Sequence, residues 1–398
     1  MKKFDYIAYA VATNLITLIY SALVARGLTL EERGDWGIIF IYSSIAATLL
    51  FPPVLDYLAN EIYEDKYLRG RVFEILMQLI AYLFFPISVV SCTLLRFIHY
   101  DYWLEIPLVA LGMVLHSWIV GVFLQISRFR TLYIIQFISI IIQTSITLIL
   151  FYTDNMNPRY LAVSYFIALT YQSIILLRRL KAFDKALDFS NPSYLRVFIN
   201  KNIRKVILAY FALVSVILLD GFPKIYLSQQ LSLAEFGKVI VILQFAFSSF
   251  GIVNSIFKSR VYALSANKSD EQYKSSKLFL LIFAIYFTGT IFALIIGKEL
   301  VLWIFGAKFE VTKSVWASIC GFALTASVLR LRFDYVRGQG RPNIEVLSFV
   351  SVLIFIFFML ILSRNIDTMN ILLILNFMSL MNTTAFFVSW LFNKKVRK

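Results

Sequence analysis

The chain has 398 residues, 60% of them hydrophobic, 17% aromatic and only 15% charged, with a net charge of +15 and a mean hydropathy of +0.78. A soluble chain runs near 45–50% apolar and about 25% charged, and one water-soluble core cannot hide such a surplus, so the chain belongs in lipid. No polar stretch is long enough to form a basic nucleic-acid-binding domain, and two cysteines (Cys92, Cys320) and two histidines (His99, His116) exclude a disulfide framework and a histidine-based metal centre.

A bilayer-spanning helix needs roughly 20 mostly apolar residues. Twelve windows qualify: 7–25, 37–57, 72–97, 106–125, 132–152 and 161–177, then 206–227, 239–257, 278–296, 315–331, 344–362 and 371–392. The start, Met1-Lys2-Lys3 before an apolar run, is like a signal peptide. The run ends in Val24-Ala25-Arg26 with no A-x-A site and is read as an uncleaved first span. The predicted fold class is an all-α integral membrane protein with about twelve transmembrane helices in two parallel-repeat six-helix bundles around a central cavity.

Lys and Arg collect in cytoplasmic loops. With span-edge residues Arg96 and Arg330 counted in their adjoining loops, the termini and the loops after even-numbered spans carry 28 of the 38, the loops after odd-numbered spans carry 9, and Lys224 lies within a span. Both termini are therefore expected in the cytoplasm. The longest polar segment, 178–205, holds the helix-start signal Asn191-Pro192-Ser193. It reads as an amphipathic helix on the anionic inner leaflet or as a plain linker. The expected division is 1–180 for an N-terminal bundle, 181–205 for the linker and 206–398 for a C-terminal bundle.

The loop after span 1 reads Leu28-Thr29-Leu30-Glu31-Glu32-Arg33-Gly34, and the loop after span 7 reads Leu231-Ser232-Leu233-Ala234-Glu235-Phe236-Gly237. The shared pattern L-[TS]-L-x-E-x-G recurs at an offset of 203 residues, half the chain. Ser or Thr caps the next helix and Glu answers its positive end, so Glu32, Gly34, Glu235 and Gly237 are expected as structural turn residues. Two halves of six spans each share one orientation, which is the parallel-repeat transporter layout.

Ionisable groups within spans are expensive and mark functional candidates. Asp220 and Lys224 lie four apart on one helical face, as an ion pair or as cavity lining. His116, in the middle of span 4, suits a proton, a sugar or a packing hydrogen bond. Glu74 lies near the cytoplasmic end of its span, at the interface or as a proton-coupling group alongside Asp220 and His116. Arg330 and Arg332 end span 10, as surface anchors or as a pyrophosphate landing site, since Arg pairs bidentately with phosphate.

The segment Ala25-Arg26-Gly27-Leu28 through Glu32-Arg33-Gly34-Asp35-Trp36-Gly37 resembles the first-loop signature of polysaccharide (O-antigen type) flippases, in the multidrug/oligosaccharidyl-lipid/polysaccharide exporter superfamily. Further matches follow in order: Asp220, the Glu235/Gly237 turn, Phe305-Gly306-Ala307-Lys308-Phe309, and Tyr335 to Pro342 with its Gly340-Arg341-Pro342 turn. A departure is Asn60, where many relatives carry a basic residue. Arg26, matched to the motif, is expected to snorkel or to pair with Glu31 or Glu32.

The resemblance implies a bacterial inner-membrane flippase, not an enzyme, that needs no cofactor. It would move undecaprenyl-pyrophosphate-linked oligosaccharide repeat units, for O-antigen or capsule, from the cytoplasmic to the periplasmic leaflet by alternating access. Its partners would be the lipid-linked oligosaccharide, membrane lipids, a polysaccharide polymerase and a chain-length regulator, with no nucleic acid. Lys224, Asp220, His116, Arg330 and Arg332 are the cavity candidates. Two alternatives stand beside it. A drug/cation antiporter of the same superfamily calls for a compact, acidic cavity. A polysaccharide polymerase calls for a large outside loop, and no outside connection here exceeds about twenty residues.

Overall fold

The structure, a computed structural model, describes residues 5–49, 101–125, 129–179, 224–266, 272–338 and 371–395, with scattered positions between them. Lipid offers no partner to a backbone N–H or C=O, so apolar runs satisfy themselves as helices. In chain order these are α1 (Asp5–Gly27), α2 (Leu30–Leu49), α3 (Glu105–Gln125), α4 (Phe129–Tyr152), α5 (Pro158–Arg179), α6 (Leu233–Ala266), α7 (Gln272–Phe305), α8 (Lys313–Gly338) and α9 (Ile371–Lys395). A 3-10 turn, Ala307–Phe309, joins α7 to α8, and no strand occurs among the described residues. Seven of the described helices are long and apolar enough to cross a membrane. The protein is an all-α, multi-pass membrane protein.

The nine helices coincide with nine of the twelve apolar windows. Apart from scattered positions, the windows 72–97, 206–227 and 344–362 and the linker 181–205 lie outside the described residues, as do the candidates Asp220 and Glu74. Two helices outrun their windows furthest: α6 and α7 have 34 residues each. Hydropathy registers only the lipid-immersed part of a helix, whereas the backbone ladder continues into the polar interface.

Helices α1 to α5 form one packed group, with α1 on α4, α3 on α5, α2 on α3, and α5 also against α4. Helices α6 to α9 form the other, in which α8 is held between α6, α7 and α9. Helix α6 joins the groups by packing on both α1 and α2. Its sequence suits that central place, because Phe236, Val239, Val241, Ile242, Leu243, Phe245, Ala246 and Phe250 are all buried around its circumference. Helix α7 is one-sided. Ile282, Tyr286 and Thr290, four residues apart, face inward, while Phe283, Phe287, Phe292, Ile295 and Trp303 are exposed. A large apolar face turned outward is costly in water and natural against acyl chains, so this face belongs to lipid.

Candidate functional site

The site begins at the two matched loops. Thr29 and Glu32 make a capping box at the start of α2. The Thr29 amide and hydroxyl donate to Glu32 Oε2 at 2.9 and 3.0 Å, and the Glu32 amide donates back to Thr29 Oγ1 at 3.2 Å. Ser232 and Glu235 repeat it at the start of α6, with the corresponding bonds at 3.3, 3.0 and 3.3 Å. These boxes satisfy amides that a helix start leaves without partners.

The two turns then meet face to face. A Cβ on Gly34 would fall on the carbonyl oxygen of Leu233, and a Cβ on Gly237 would fall on that of Leu30. Leu30 and Leu233, like Gly34 and Gly237, are repeat mates, so one contact is made twice in reciprocal form. An approximate two-fold axis runs between the loops, as parallel repeats require.

Three further side chains bond across the seam at this end. Arg26 does not pair with Glu31 or Glu32, because Glu32 is engaged in its cap. Its Nε and Nη2 donate at 2.8 Å each to the carbonyls of Ile304 and Trp303 at the end of α7. These are carbonyls that a helix terminus leaves free, with a negative partial charge that attracts a cation. Lys308 Nζ donates to the carbonyl of Leu28 at 2.7 Å, and its pKa is lowered by burial, with nearby Glu32 pulling the other way. Arg33 Nη2 donates to Gln244 Oε1 on α6. Within the first half, Tyr102 donates to Asp35 at 2.9 Å and Arg159 lies 3.5 Å from Glu105. The loop end bearing residues 27–30, 101–105, 152–158 and 305–313 is thus sealed.

Beneath the seal lies a cavity of about 660 Å³, walled by both halves. The first half contributes Asn14, Thr17, Tyr20, Arg33, Trp36, Ser44, His116, Gln136, Gln143, Tyr165 and Gln172; the second contributes Lys224, Gln244, Phe247, Ser248 and Arg330. Lys224 Nζ and the Arg330 guanidinium lie 5.4 and 5.2 Å from the centre of the Phe247 ring, a cation–π arrangement that gathers two cations at one aromatic side chain. The described lining holds three permanent cations and His116, and neither Asp nor Glu. Amides, hydroxyls and aromatic rings fill most of the rest. Such a wall suits a ligand that is both anionic and rich in hydroxyls.

Of the candidates read from the sequence, Lys224, His116 and Arg330 reach the cavity. Arg332 does not. Two residues further along α8, it projects to the opposite side, where it is buried and donates to Ser389 Oγ and O at 2.9 and 3.1 Å on α9. Arg33 and Gln244 were not singled out by sequence reasoning. The signal for Arg33 was a charge at the unspecified position of E-x-G, where the second copy carries Phe236. No group of three or more His, Cys, Asp or Glu side chains fit to hold a metal occurs among the described residues.

No family model and no curated protein matches this sequence. Solved structures do. Over 98% of its length the chain matches 87% of the lipid II flippase MurJ in an inward closed conformation, with a TM-score of 0.73 at 9% identity. The chain has the MATE/MurJ fold. A Vibrio cholerae MATE transporter matches at a TM-score of 0.65 and 12% identity, covering 99% of this chain and 96% of that one. A eukaryotic MATE transporter matches at 0.63 and 14% identity, over 98% and 94% of the two chains. At these identities the likeness concerns the MATE/MurJ fold, and any substrate must be argued from the cavity.

Proposed function

We propose that the protein is a flippase for a lipid-linked oligosaccharide, carrying undecaprenyl-pyrophosphate-linked repeat units from the cytoplasmic to the periplasmic leaflet. The observation that carries this reading is the cavity wall: Lys224 and Arg330 gathered at Phe247, with neither Asp nor Glu in the described lining. A cationic wall in a low-dielectric site attracts a pyrophosphate and repels the organic cations that an antiporter would carry. Lys224 and Arg330 are the groups assigned to the diphosphate. The amides and hydroxyls of the first half receive sugars, and the prenyl tail stays in lipid. A polymerase and a chain-length regulator are the partners that such a flippase would serve.

Orientation comes from charge. The sealed end carries the Lys/Arg-poor loops, so it faces outward, the termini are cytoplasmic and the cavity loads from inside. Alternating access then requires the seal between the matched loops to part while the opposite end closes. His116 is the proton-coupling candidate that lines the cavity among the described residues. Deleting the protein should abolish surface polysaccharide while single lipid-linked units accumulate on the cytoplasmic leaflet. Accumulation on the periplasmic leaflet would instead favour a polymerase, and loss of drug efflux with normal polysaccharide would favour the antiporter. Lys224→Ala and His116→Ala should each impair export at unchanged protein level.

A further inference from the structure

Arg33 is a cation on the cavity wall apart from the Lys224 and Arg330 pair assigned to the diphosphate. It is 1% exposed, and while Nη2 donates to Gln244, Nε and Nη1 make no hydrogen bond within the protein. A guanidinium taken out of water is tolerated when acceptors and a counter-charge meet it. No described residue of the cavity wall supplies that charge.

The internal repeat shows that packing does not explain the arginine. Arg33 stands at the same place in its turn as Phe236 in the second copy, 203 residues later. Phe236 is fully buried, at 0% exposure, in an apolar cluster. Apolar bulk satisfies this turn, so the charge at position 33 serves something else.

Depth separates Arg33 from the other cations. It lies in the first turn of α2, at the sealed end, and its partner Gln244 is about one turn nearer that end on α6 than Phe247, where Lys224 and Arg330 gather. Arg330 is exposed, near the far end of α8. In the proposed cycle a ligand tethered by a lipid tail enters from the end opposite the seal, so its diphosphate stays behind and its sugars run ahead toward the seal. Around Arg33 the wall is made for sugars: Tyr20 is its neighbour, Tyr165 lies near Tyr20, and Trp36, about one turn along α2, offers a ring.

We infer that Arg33 is an anion subsite for the glycan itself, separate from the diphosphate site, and that the transported oligosaccharide carries an acidic substituent on a sugar. That substituent is a uronic-acid carboxylate or a sugar phosphate ester; both accept charge-assisted hydrogen bonds from a guanidinium. The inference rests on the lipid-linked-oligosaccharide reading and specifies its substrate class.

The test is thermal stabilisation of the full-length protein in lipid nanodiscs by inorganic pyrophosphate, glucuronate, glucose 6-phosphate and glucose. Pyrophosphate and at least one acidic sugar should stabilise the wild type, and glucose should not. A response to glucuronate alone assigns the carboxylate, and one to glucose 6-phosphate alone the phosphate ester. Arg33→Phe, which installs the residue of the repeat mate, should weaken the acidic-sugar response at least tenfold and keep the pyrophosphate response; Arg33→Gln should do the same. Arg330→Gln should show the reverse pattern. Loss of both responses in the two Arg33 variants would merge Arg33 with the diphosphate site and overturn the inference. So would a wild type that answers pyrophosphate but binds acidic sugars no better than glucose. A wild type that answers neither anion would overturn the functional reading itself.

Discussion

At Gly34 and Gly237 the two halves touch main chain to main chain, and neither position has room for a methyl group. Overpacking of this kind costs about 1–3 kcal/mol, enough to shift a closed-to-open equilibrium roughly 5–150-fold. Because the contact is reciprocal, Gly34→Ala and Gly237→Ala should act alike. Each should make a cysteine placed in the cavity at Ser44 reactive to an impermeant maleimide added outside, in a background lacking Cys92 and Cys320. Equal protection in wild type and both variants would show that the glycines do not hold the seal. The motif announced these glycines, but only the fold brings its two copies into contact. The same limit explains Arg330 and Arg332. Sequence offers them as equals, whereas helical geometry sends them to opposite sides, one to Phe247 and the other to Ser389. Arg26 could be seen as a cation in need of a partner, but carbonyls at the end of a helix more than two hundred residues away leave no trace in a local motif.

At the scale of elements, length and apolar composition were sufficient, since lipid leaves a polypeptide few alternatives to a helix. What they withhold is which side of a helix meets lipid. Helices α7 and α8 are both apolar, yet 22% of the best apolar stretch of α7 is buried against 61% for α8. Periodicity is a poor guide to this difference, because in a bilayer the outward face is as apolar as the inward one. The lipid face of α7 leads to a direct expectation. Phe292 is 61% exposed midway along that helix, so Phe292→Arg should raise the apparent insertion free energy of this segment by roughly 2.5–3.5 kcal/mol. A glycosylation-reporter insertion assay should read a marked drop in the inserted fraction. Insertion at the wild-type level would show that residue 292 does not lie at the centre of a membrane-spanning segment.

At the scale of the whole molecule, two halves lean together at one end and enclose a cavity beneath. The 203-residue offset made the halves legible, because a repeated turn in equivalent places implies repeated topology. The cavity was less legible. Its wall draws on at least seven segments distant in sequence, and its character comes from amides and hydroxyls that no motif marks. Charge was the readable part, and Lys224, His116 and Arg330 were visible as ionisable groups in apolar surroundings.

The bonds of Arg26 and Lys308 end on main-chain oxygens of residues 303, 304 and 28. A carbonyl is common to every amino acid, so these bonds depend on side-chain identity at the donor and not at the acceptor. Under the proposed function, saturation mutagenesis scored by surface polysaccharide should therefore be lopsided. Trp303, Ile304 and Leu28 should accept other apolar residues, while Arg26 should tolerate little beyond lysine and Lys308 little beyond arginine. Equal tolerance at donors and acceptors would show that the seal does not depend on these bonds. A lock built in this way lets the helix ends drift in sequence while two cationic side chains stay fixed.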